Sequence, residues 1–370
     1  MSYQERENQK FKILALDGGG IRGVVTARIL QEVQELIGKQ PLNEYFDLIA
    51  GTSTGAIIAA GLAIGKKPEE LREIYQQRGR EIFNASSLRK IMALLHGSKY
   101  SNQGLIKVLQ EELREEITLR QVSEISRAEL LILAYDTFYR NTTFFTSKAE
   151  PNRWFNDMKL WEICTSSASA PTFFPPYEFT WIDPNHPENG EWKFPHVDGG
   201  VGANCPAMAA LCHVMGERNY SIKDISILSI GTGRTTKPHE YKNMKEWGTL
   251  GWGKNIPDVF MGSQTQITTD TCQEIINAVN PNSYLRLQFD INQRFQQRKD
   301  SYQPRELLPA KEQINQFIHK KINEEMDDAS QENIQNLLDA AELFAESERE
   351  SIKKFIENNK ESTKLESMAC

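Results

Sequence analysis

Residues 46–62 read FDLIAGTSTGAIIAAGL. From Phe46 to Ala50 the run is apolar with no polar alternation after Asp47, the pattern of a strand buried on both faces. From Ala56 to Ala63 the small apolar residues predict a tightly packed helix. Between them Gly51-Thr52-Ser53-Thr54-Gly55 matches G-x-S-x-G, the nucleophile-elbow pattern. In it the chain turns sharply from strand to helix, and glycines let neighbouring backbone come close. Ser53 would project its hydroxyl from that turn, where the helix N-terminus favours developing negative charge. The pattern alone is cheap, since roughly 0.1 chance match is expected in a chain of this length and ordinary composition. The strand before it and the helix after it are the context the motif requires. The competing reading is a plain glycine-rich turn.

The segment before this one has the same form. Phe11 to Leu16 (FKILAL) reads as a strand, followed by Asp17-Gly18-Gly19-Gly20-Ile21-Arg22-Gly23 and a helix to about Ile37. Val25, Ile29, Val33 and Leu36 share one helical face, and Gly38 suits the C-cap. Two consecutive strand–turn–helix units predict a largely parallel sheet with helices on both faces.

Further along, Pro68 opens a helix to about Ile82, with acids in its first turn. Leu88 to Leu95 reads as a short basic-apolar helix, Leu105 to Leu113 as another, and Leu130 to Tyr135 as a buried strand. Thr142 to Thr146 reads as a strand and Leu160 to Ala170 as a helix ended by Pro171. A polar loop is expected from Trp181 to Pro195. After Asp198-Gly199-Gly200 a helix runs from about Pro206 to Met215, then a strand from Ile225 to Ile230. Arg234 to Gly262 reads as irregular, and Tyr284 to Phe289 as a last strand. Ile334, Leu337, Leu338, Ala341 and Phe344 predict one docked amphipathic helix. The expected division is a polar tail at 1–10, one body at 11–346 with a helical segment from about 304, and a charged helix with a loose tail at 347–370.

A chain of 370 residues with net charge −7, 39% hydrophobic and 25% charged, can bury a large core and is ordinary for a soluble protein. The acidic balance argues against a general nucleic-acid binder and against global attraction to anionic membranes. The five cysteines are scattered with no C-x-x-C pair, which predicts free thiols in a reducing compartment. The polar N-terminal MSYQERENQK does not read as a signal peptide, and no apolar run is long enough to span a bilayer. The expected location is cytoplasmic, with peripheral membrane contact.

Acyl transfer from an ester needs a nucleophile, a base in hydrogen-bond reach and donors aimed at the oxyanion. Ser53 supplies the first. Gly18, Gly19 and Gly20 would present backbone N–H groups beside it if the two strands are neighbours. Losing one such donor typically costs about 2.7–4 kcal/mol. Arg22 could add positive charge for the oxyanion or a substrate phosphate; a surface arginine in a helix first turn is the plainer alternative. Gly18-x-Gly20-x-x-Gly23 also fits a dinucleotide fingerprint, but that site wants an acid at the far end of the second strand. Here Asp47 begins that strand and Ser53 follows it. A P-loop fails as well, because Gly61 to Gly65 is one residue short and Lys66 precedes Lys67.

Two residues compete as the base. His196 lies near a loop and would complete a triad. Asp198 would serve directly if burial made it more basic than the usual 3.9 or so, although an Asx-type turn before Gly199-Gly200 is the simpler reading.

DGGGIRG (Asp17 to Gly23), GTSTG (Gly51 to Gly55), SAPTFFPP (Ser169 to Pro176), DGGVGANCP (Asp198 to Pro206) and SIGTG (Ser229 to Gly233) occur in that order. Together they resemble the patatin-like phospholipases, and Tyr284 to Leu287 with Met326 to Ser330 resemble the C-terminal half of plant-patatin-type members. The resemblance covers about Lys12 to Phe344. It implies a three-layer α/β/α sandwich with a mainly parallel sheet and a nucleophile elbow. It further implies a dyad without histidine: Ser53 as nucleophile, Asp198 as base, Gly18 to Gly20 as oxyanion hole and Arg22 assisting. Gly51, Gly55, Gly199 and Gly200 are its motif glycines. The implied activity is hydrolysis of fatty-acyl esters of phospholipids or galactolipids, with no metal or other cofactor.

Access to lipid needs an apolar surface, for which Leu88 to Leu95 and Trp247 to Phe260 are the candidates for a lid or patch. Cys205 and Cys212 are expected to be inert core thiols and the tryptophans mostly core. Two rival functions remain. One is a storage or interaction protein with incidental esterase activity. The other is an effector latent until a small ligand arrives, as in cyclic-nucleotide-gated bacterial members of the family.

Overall fold

A computed structural model of the chain describes residues 10–84, 97–296 and 305–359. The expected helix at Leu88 to Leu95 and the final ten residues lie outside these. The sheet is built from β1 (Phe11–Leu16), β2 (Leu48–Thr52), β3 (Glu129–Asp136), β4 (Asn141–Thr146), β5 (Tyr177–Ile182), β6 (Glu191–Asp198), β7 (Ile225–Ile230) and β8 (Tyr284–Leu287). Its order is β5-β6-β3-β2-β1-β7-β8, with β4 also paired to β3. The five strands β3, β2, β1, β7 and β8 are parallel, whereas β4, β5 and β6 pair antiparallel.

Alternate residues of the central strands feed two separate cores, which makes the molecule three layers deep. Leu14, Leu16, Ile49, Leu130 and Ile132 pack with α1 (Gly23–Ile37), α2 (Thr54–Ala63), α3 (Pro68–Ile82) and α5 (Leu160–Ser167). That core also takes residues of α4 (Gln103–Glu112) and α8 (Gln331–Ser347). Ile13, Ala15, Leu48, Ala50 and Leu131 pack with α6 (Ala207–Glu217) and the far end of α7 (Thr249–Val279). Strands covered on both faces have no solvent side, so β1 and β7 are buried at every residue. A final helix, α9 (Arg349–Asn358), docks through Ile352, Phe355 and Ile356.

Several sequence expectations are corrected. The helical segment expected from about 304 begins only with α8 at Gln331, since residues 305–330 hold one short 3-10 turn, Ala310–Glu312, in otherwise irregular chain. The loop expected from Trp181 to Pro195 is instead most of a hairpin, in which Phe179 faces Phe194 and Trp181 faces Trp192 across β5 and β6. The rings of Phe179 and Phe194 both pack on Trp154, at 5.4 and 4.2 Å between centroids, which holds the hairpin where local propensity is interrupted by Pro184, Pro187 and Gly190 at its tip. The stretch read as irregular up to Gly262 contains the start of α7, a 31-residue helix that carries Pro257 inside it. The helix is anchored beyond the proline, at Met261 and Gln264 against the single helical turn Gly200–Ala203 and at Cys272 and Ile276 against α6. Leu250, Trp252 and Phe260 of that segment are exposed, and so is Trp192. Cys212 is exposed too, so it is no core thiol, while Cys164, Cys205 and Cys272 are buried; all four are free. Among the described residues no helix is long and apolar enough to cross a membrane.

Candidate active site

The turn after β2 is an elbow. Ser53 adopts φ 56° and ψ −122°, a left-handed conformation that a side chain rarely accepts, between Thr52 and the first residue of α2. Its two glycines are sterically required. A Cβ on Gly51 would stand 2.5 Å from the Gly55 carbonyl carbon, and one on Gly55 would stand 2.7 Å from the Asp17 carbonyl oxygen and closer still to that of Leu16. The elbow therefore packs directly on the end of β1, where the Asp17–Gly20 loop begins. Ser53 itself is 8% exposed.

Asp198 reaches the elbow because of how β3 is paired. Along one edge of β3, β2 runs parallel as far as the Thr52–Leu133 pair. β4 occupies the other edge, so β6 takes up the first edge at the next residue, pairing Asp198 with Ala134 in the opposite direction. The two strands meet end to end. Gly199 has to be glycine at the junction, since its Cβ would collide with the Leu133 carbonyl. The Asp198 carboxyl is buried and accepts the Gly200 N–H at 2.7 Å. Burial pushes its pKa up from 3.8 to about 6, against the Ser53 side-chain hydrogen bond and the Gly200 N–H, which pull it down.

Helix α5 ends in a bracket that holds both partners. The Ser167 hydroxyl accepts the Ser53 N–H at 2.9 Å and donates to the Leu133 carbonyl at 2.6 Å. The Asp198 N–H donates to the Ser169 carbonyl and the Gly199 N–H to the Ser167 carbonyl. Sequence reasoning gave Ser167 no role. The signal available in sequence was a run of three hydroxyl residues, Thr165 to Ser167, at an expected helix end just before the SAPTFFPP stretch; the fold buries all three.

The glycine loop lies alongside. A Cβ on Gly18 would sit 3.1 Å from the Ser53 Cβ and 2.5 Å from Asn204 Oδ1. One expectation narrows: the Gly18 N–H already donates to the Asn204 carbonyl at 3.1 Å, so it is not available to an incoming oxyanion. Among the described residues the N–H groups of Gly19 and Gly20 have no partner. Gly20 has φ +60°, and a Cβ there would strike the Met326 carbonyl. That carbonyl accepts the Ile21 N–H at 2.8 Å, so a segment from far along the chain braces the loop. Arg22 is buried beneath it, its Nε donating to the Gly19 carbonyl at 3.4 Å and its Nη1 to the Glu324 carbonyl at 3.5 Å. Burial lowers its pKa, opposed by the charges of Asp258, Glu324 and Glu325. At the start of the loop Asp17 forms a buried ion pair with Arg286 of β8, whose Nη1 also donates to Ser229 Oγ at 2.7 Å.

Helix α7 walls the site: a Cβ on Gly200 would stand 3.1 Å from the Met261 methyl, and Asn204 Nδ2 donates to Thr265 Oγ1 at 3.2 Å. His196, the rival base, sits in a different environment. Its Nδ1 is bonded to the Phe194 carbonyl at 2.9 Å and its Nε2 to the Thr143 hydroxyl at 2.8 Å, among Phe145, Trp154 and Phe179. A carbonyl accepts only, so Nδ1 carries the proton and Nε2 accepts from Thr143. Burial lowers the ring's pKa, opposed by the Phe194 carbonyl and the charge of Asp136.

A family model described as patatin-like phospholipase matches residues 14–211. Patatin-1-Kuras 2 from Solanum tuberosum is 28% identical over 310 residues, covering 75% of this chain and 78% of its own. Patatin-like protein 2 from Arabidopsis thaliana is 30% identical over 315 residues, covering 75% of each. Among solved structures, human GIVD cytosolic phospholipase A2 is similar in fold, with a TM-score of 0.50 at 10% identity, covering 97% of this chain and 61% of that one.

Proposed function

The chain belongs to the patatin-like phospholipase family, and on that premise we propose that it is a lipid acyl hydrolase working through a Ser53–Asp198 dyad. The observation that carries this reading is the end-to-end meeting of β2 and β6 on β3, which sets a strained serine beside a buried carboxyl. A carboxylate with a pKa of about 6 is mostly ionised at neutral pH yet more basic than an ordinary aspartate, as a proton acceptor should be.

In the proposed reaction Asp198 takes the Ser53 proton as Oγ attacks the acyl carbonyl. The carbonyl π pair moves to oxygen, where the Gly19 and Gly20 N–H groups receive it. Arg22 holds the Gly19 carbonyl and adds positive charge under the loop. The C–O bond to the lysolipid or other alcohol then breaks, and the leaving oxygen takes its proton from Asp198. Water attacks the acyl-enzyme, giving a proton to the same carboxylate, and the fatty acid departs as Ser53 recovers its hydrogen. The substrates proposed are phospholipid or galactolipid acyl esters met at a membrane surface. The proposed working body runs from 11 to 346; the grip of Glu324 and Met326 on the glycine loop supports including the segment after 304, and α9 docks on the same core.

Mass spectrometry of products from a mixed lipid extract tests the proposal. Wild type should release free fatty acid and the matching lysolipid, and Ser53→Ala and Asp198→Asn should release neither. Undiminished release by Ser53→Ala would overturn it.

A further inference from the structure

The Ser229–Gly233 motif lies beyond the residues matched by the family model and has no part in the mechanism above. We propose that Thr232 is a positioning residue that aims the Gly19 N–H at the oxyanion, an inference that rests on the hydrolase reading of the Ser53 site. The Thr232 hydroxyl donates to the Gly18 carbonyl at 3.0 Å and is buried. That carbonyl and the Gly19 N–H belong to one planar trans peptide, so the two must point in opposite directions. Fixing the carbonyl on Thr232 turns the N–H to the far side of the loop.

The surroundings say which side that is. A Cβ on Gly19 would stand 2.6 Å from Thr232 Cβ and 2.9 Å from its Cγ2, so Thr232 fills one flank of the loop. Ser53 lies against the neighbouring Gly18. The N–H turned away from Thr232 is also one that no described residue takes up. Thr232 is itself held on both sides. The Gly231 carbonyl accepts the Thr26 hydroxyl at 3.1 Å, the Gly231 N–H donates to the Leu287 carbonyl at 2.9 Å, and the Gly233 N–H donates to Gln288 Oε1 at 2.8 Å. Glycine peptides rotate freely when unconstrained, so without the hydroxyl the Gly18 carbonyl loses the side-chain hydrogen bond that fixes it among the described residues.

Thr232→Val removes the hydroxyl at nearly constant volume, and Thr232→Ser keeps it. With a soluble p-nitrophenyl ester, Thr232→Val should lower kcat by roughly 30- to 100-fold, short of the loss of a whole oxyanion donor, with KM nearly unchanged. A trifluoromethyl ketone provides the second readout. Ser53 Oγ bonds to its carbonyl carbon, the proton passes to Asp198, and the resulting alkoxide needs the same donors. Its inhibition constant should weaken in step with kcat, while the corresponding alcohol, which forms no alkoxide, should bind as before. Thr232→Ser should restore kcat to within about threefold. Melting curves establish that each variant is folded, and Thr232→Ala takes the place of Val if that variant does not fold. Wild-type kcat and ketone affinity in Thr232→Val, or a loss in Thr232→Ser as deep as in Val, would overturn the proposal. Hydrolysis surviving in Ser53→Ala would instead remove the reading beneath it.

Discussion

Ser53 and Asp198 stand at the facing ends of two strands that share one edge of β3 and run toward each other. Each is fixed through its main chain at the end of α5, the serine through the Ser167 hydroxyl and the aspartate through the carbonyl of Ser169, two residues beyond the helix. Their juxtaposition is therefore a property of strand pairing and does not depend on a flexible loop. Preorganisation of this kind leaves little to reorganise as charge develops.

The first prediction concerns pH. A base must be ionised to act, and burial sets Asp198 at about 6. The kcat/KM for a soluble ester should climb about tenfold per pH unit on the acid side and level off above pH 6. A rise already complete by pH 4.5 in rate–pH measurements would mean that this carboxyl is not the base.

His196 supplies the control for that profile, because an imidazole titrates in a similar range. Both of its ring nitrogens are engaged away from Ser53, and its ring fills an aromatic cluster. His196→Asn should lose stability, with kcat staying within about tenfold and the inflection still near 6. Steady-state kinetics across pH, alongside a thermal melt, separate the two effects. A loss matching Ser53→Ala in a folded variant would reassign the base.

The elbow stores backbone strain at Ser53. Ser53 holds φ 56° at a cost of roughly 1–3 kcal/mol, and glycine accepts that conformation without penalty. Ser53→Gly and Ser53→Ala should both be inactive. The glycine variant should be the more stable, by about 1 kcal/mol in urea unfolding: alanine keeps the strained Cβ, which outweighs the roughly 0.4–1 kcal/mol that glycine's freer unfolded chain costs. Equal stability of the two would show that the turn relaxes in solution.

Much of this arrangement is legible in the amino-acid sequence alone. FKILAL and ISILSI are buried on both faces, so their composition marks them as central strands, and β1 and β7 have the expected limits. Ser53 and Asp198 sit in motifs whose glycines are demanded by backbone contacts, a signal that survives in sequence. The β5–β6 hairpin is hidden there because Phe179 and Phe194 meet a common partner, Trp154, only once the fold brings it over the paired strands. Helix α7 is hidden for a similar reason, since Pro257 and three glycines lower its propensity while tertiary packing retains it. Ser167 lies just before the SAPTFFPP motif and Thr232 inside SIGTG, yet neither motif says what the hydroxyl does. Their importance lies in which carbonyl each hydroxyl reaches, and only the fold decides that.

Burial of Asp198 also carries a cost that should be measurable. Its pKa is raised from 3.8 in an exposed chain to about 6, so the folded state binds the proton more tightly than the unfolded state. Stability should fall as pH rises through that window, by on the order of 3 kcal/mol once both states are ionised. Asp198→Asn removes the charge and keeps an acceptor for the Gly200 N–H. It should melt higher than wild type at pH 8, with the advantage shrinking below pH 6 and gone near pH 4. An advantage that is independent of pH would place its origin outside this carboxyl.

The last prediction sets two glycines against each other, both inside helices. Replacing a helical glycine by alanine gains up to about 1 kcal/mol when nothing stands in the way. Gly216 of α6 has open space where a Cβ would go, so Gly216→Ala should raise the melting temperature slightly. Gly55 of α2 would drive its Cβ into the carbonyl oxygens of Leu16 and Asp17, backbone atoms that cannot rotate aside. Overpacking there costs roughly 1–3 kcal/mol or more and outweighs the propensity gain, so Gly55→Ala should melt lower. Relief can come only by prising β1 and its glycine loop away from the elbow, which separates Ser53 from the Gly19 and Gly20 donors. Gly55→Ala should therefore lose kcat by about 10-fold or more as well, whereas Gly216→Ala keeps it. Full activity in a folded Gly55→Ala protein would show that the contact between the elbow and the end of β1 does not hold the glycine loop in place.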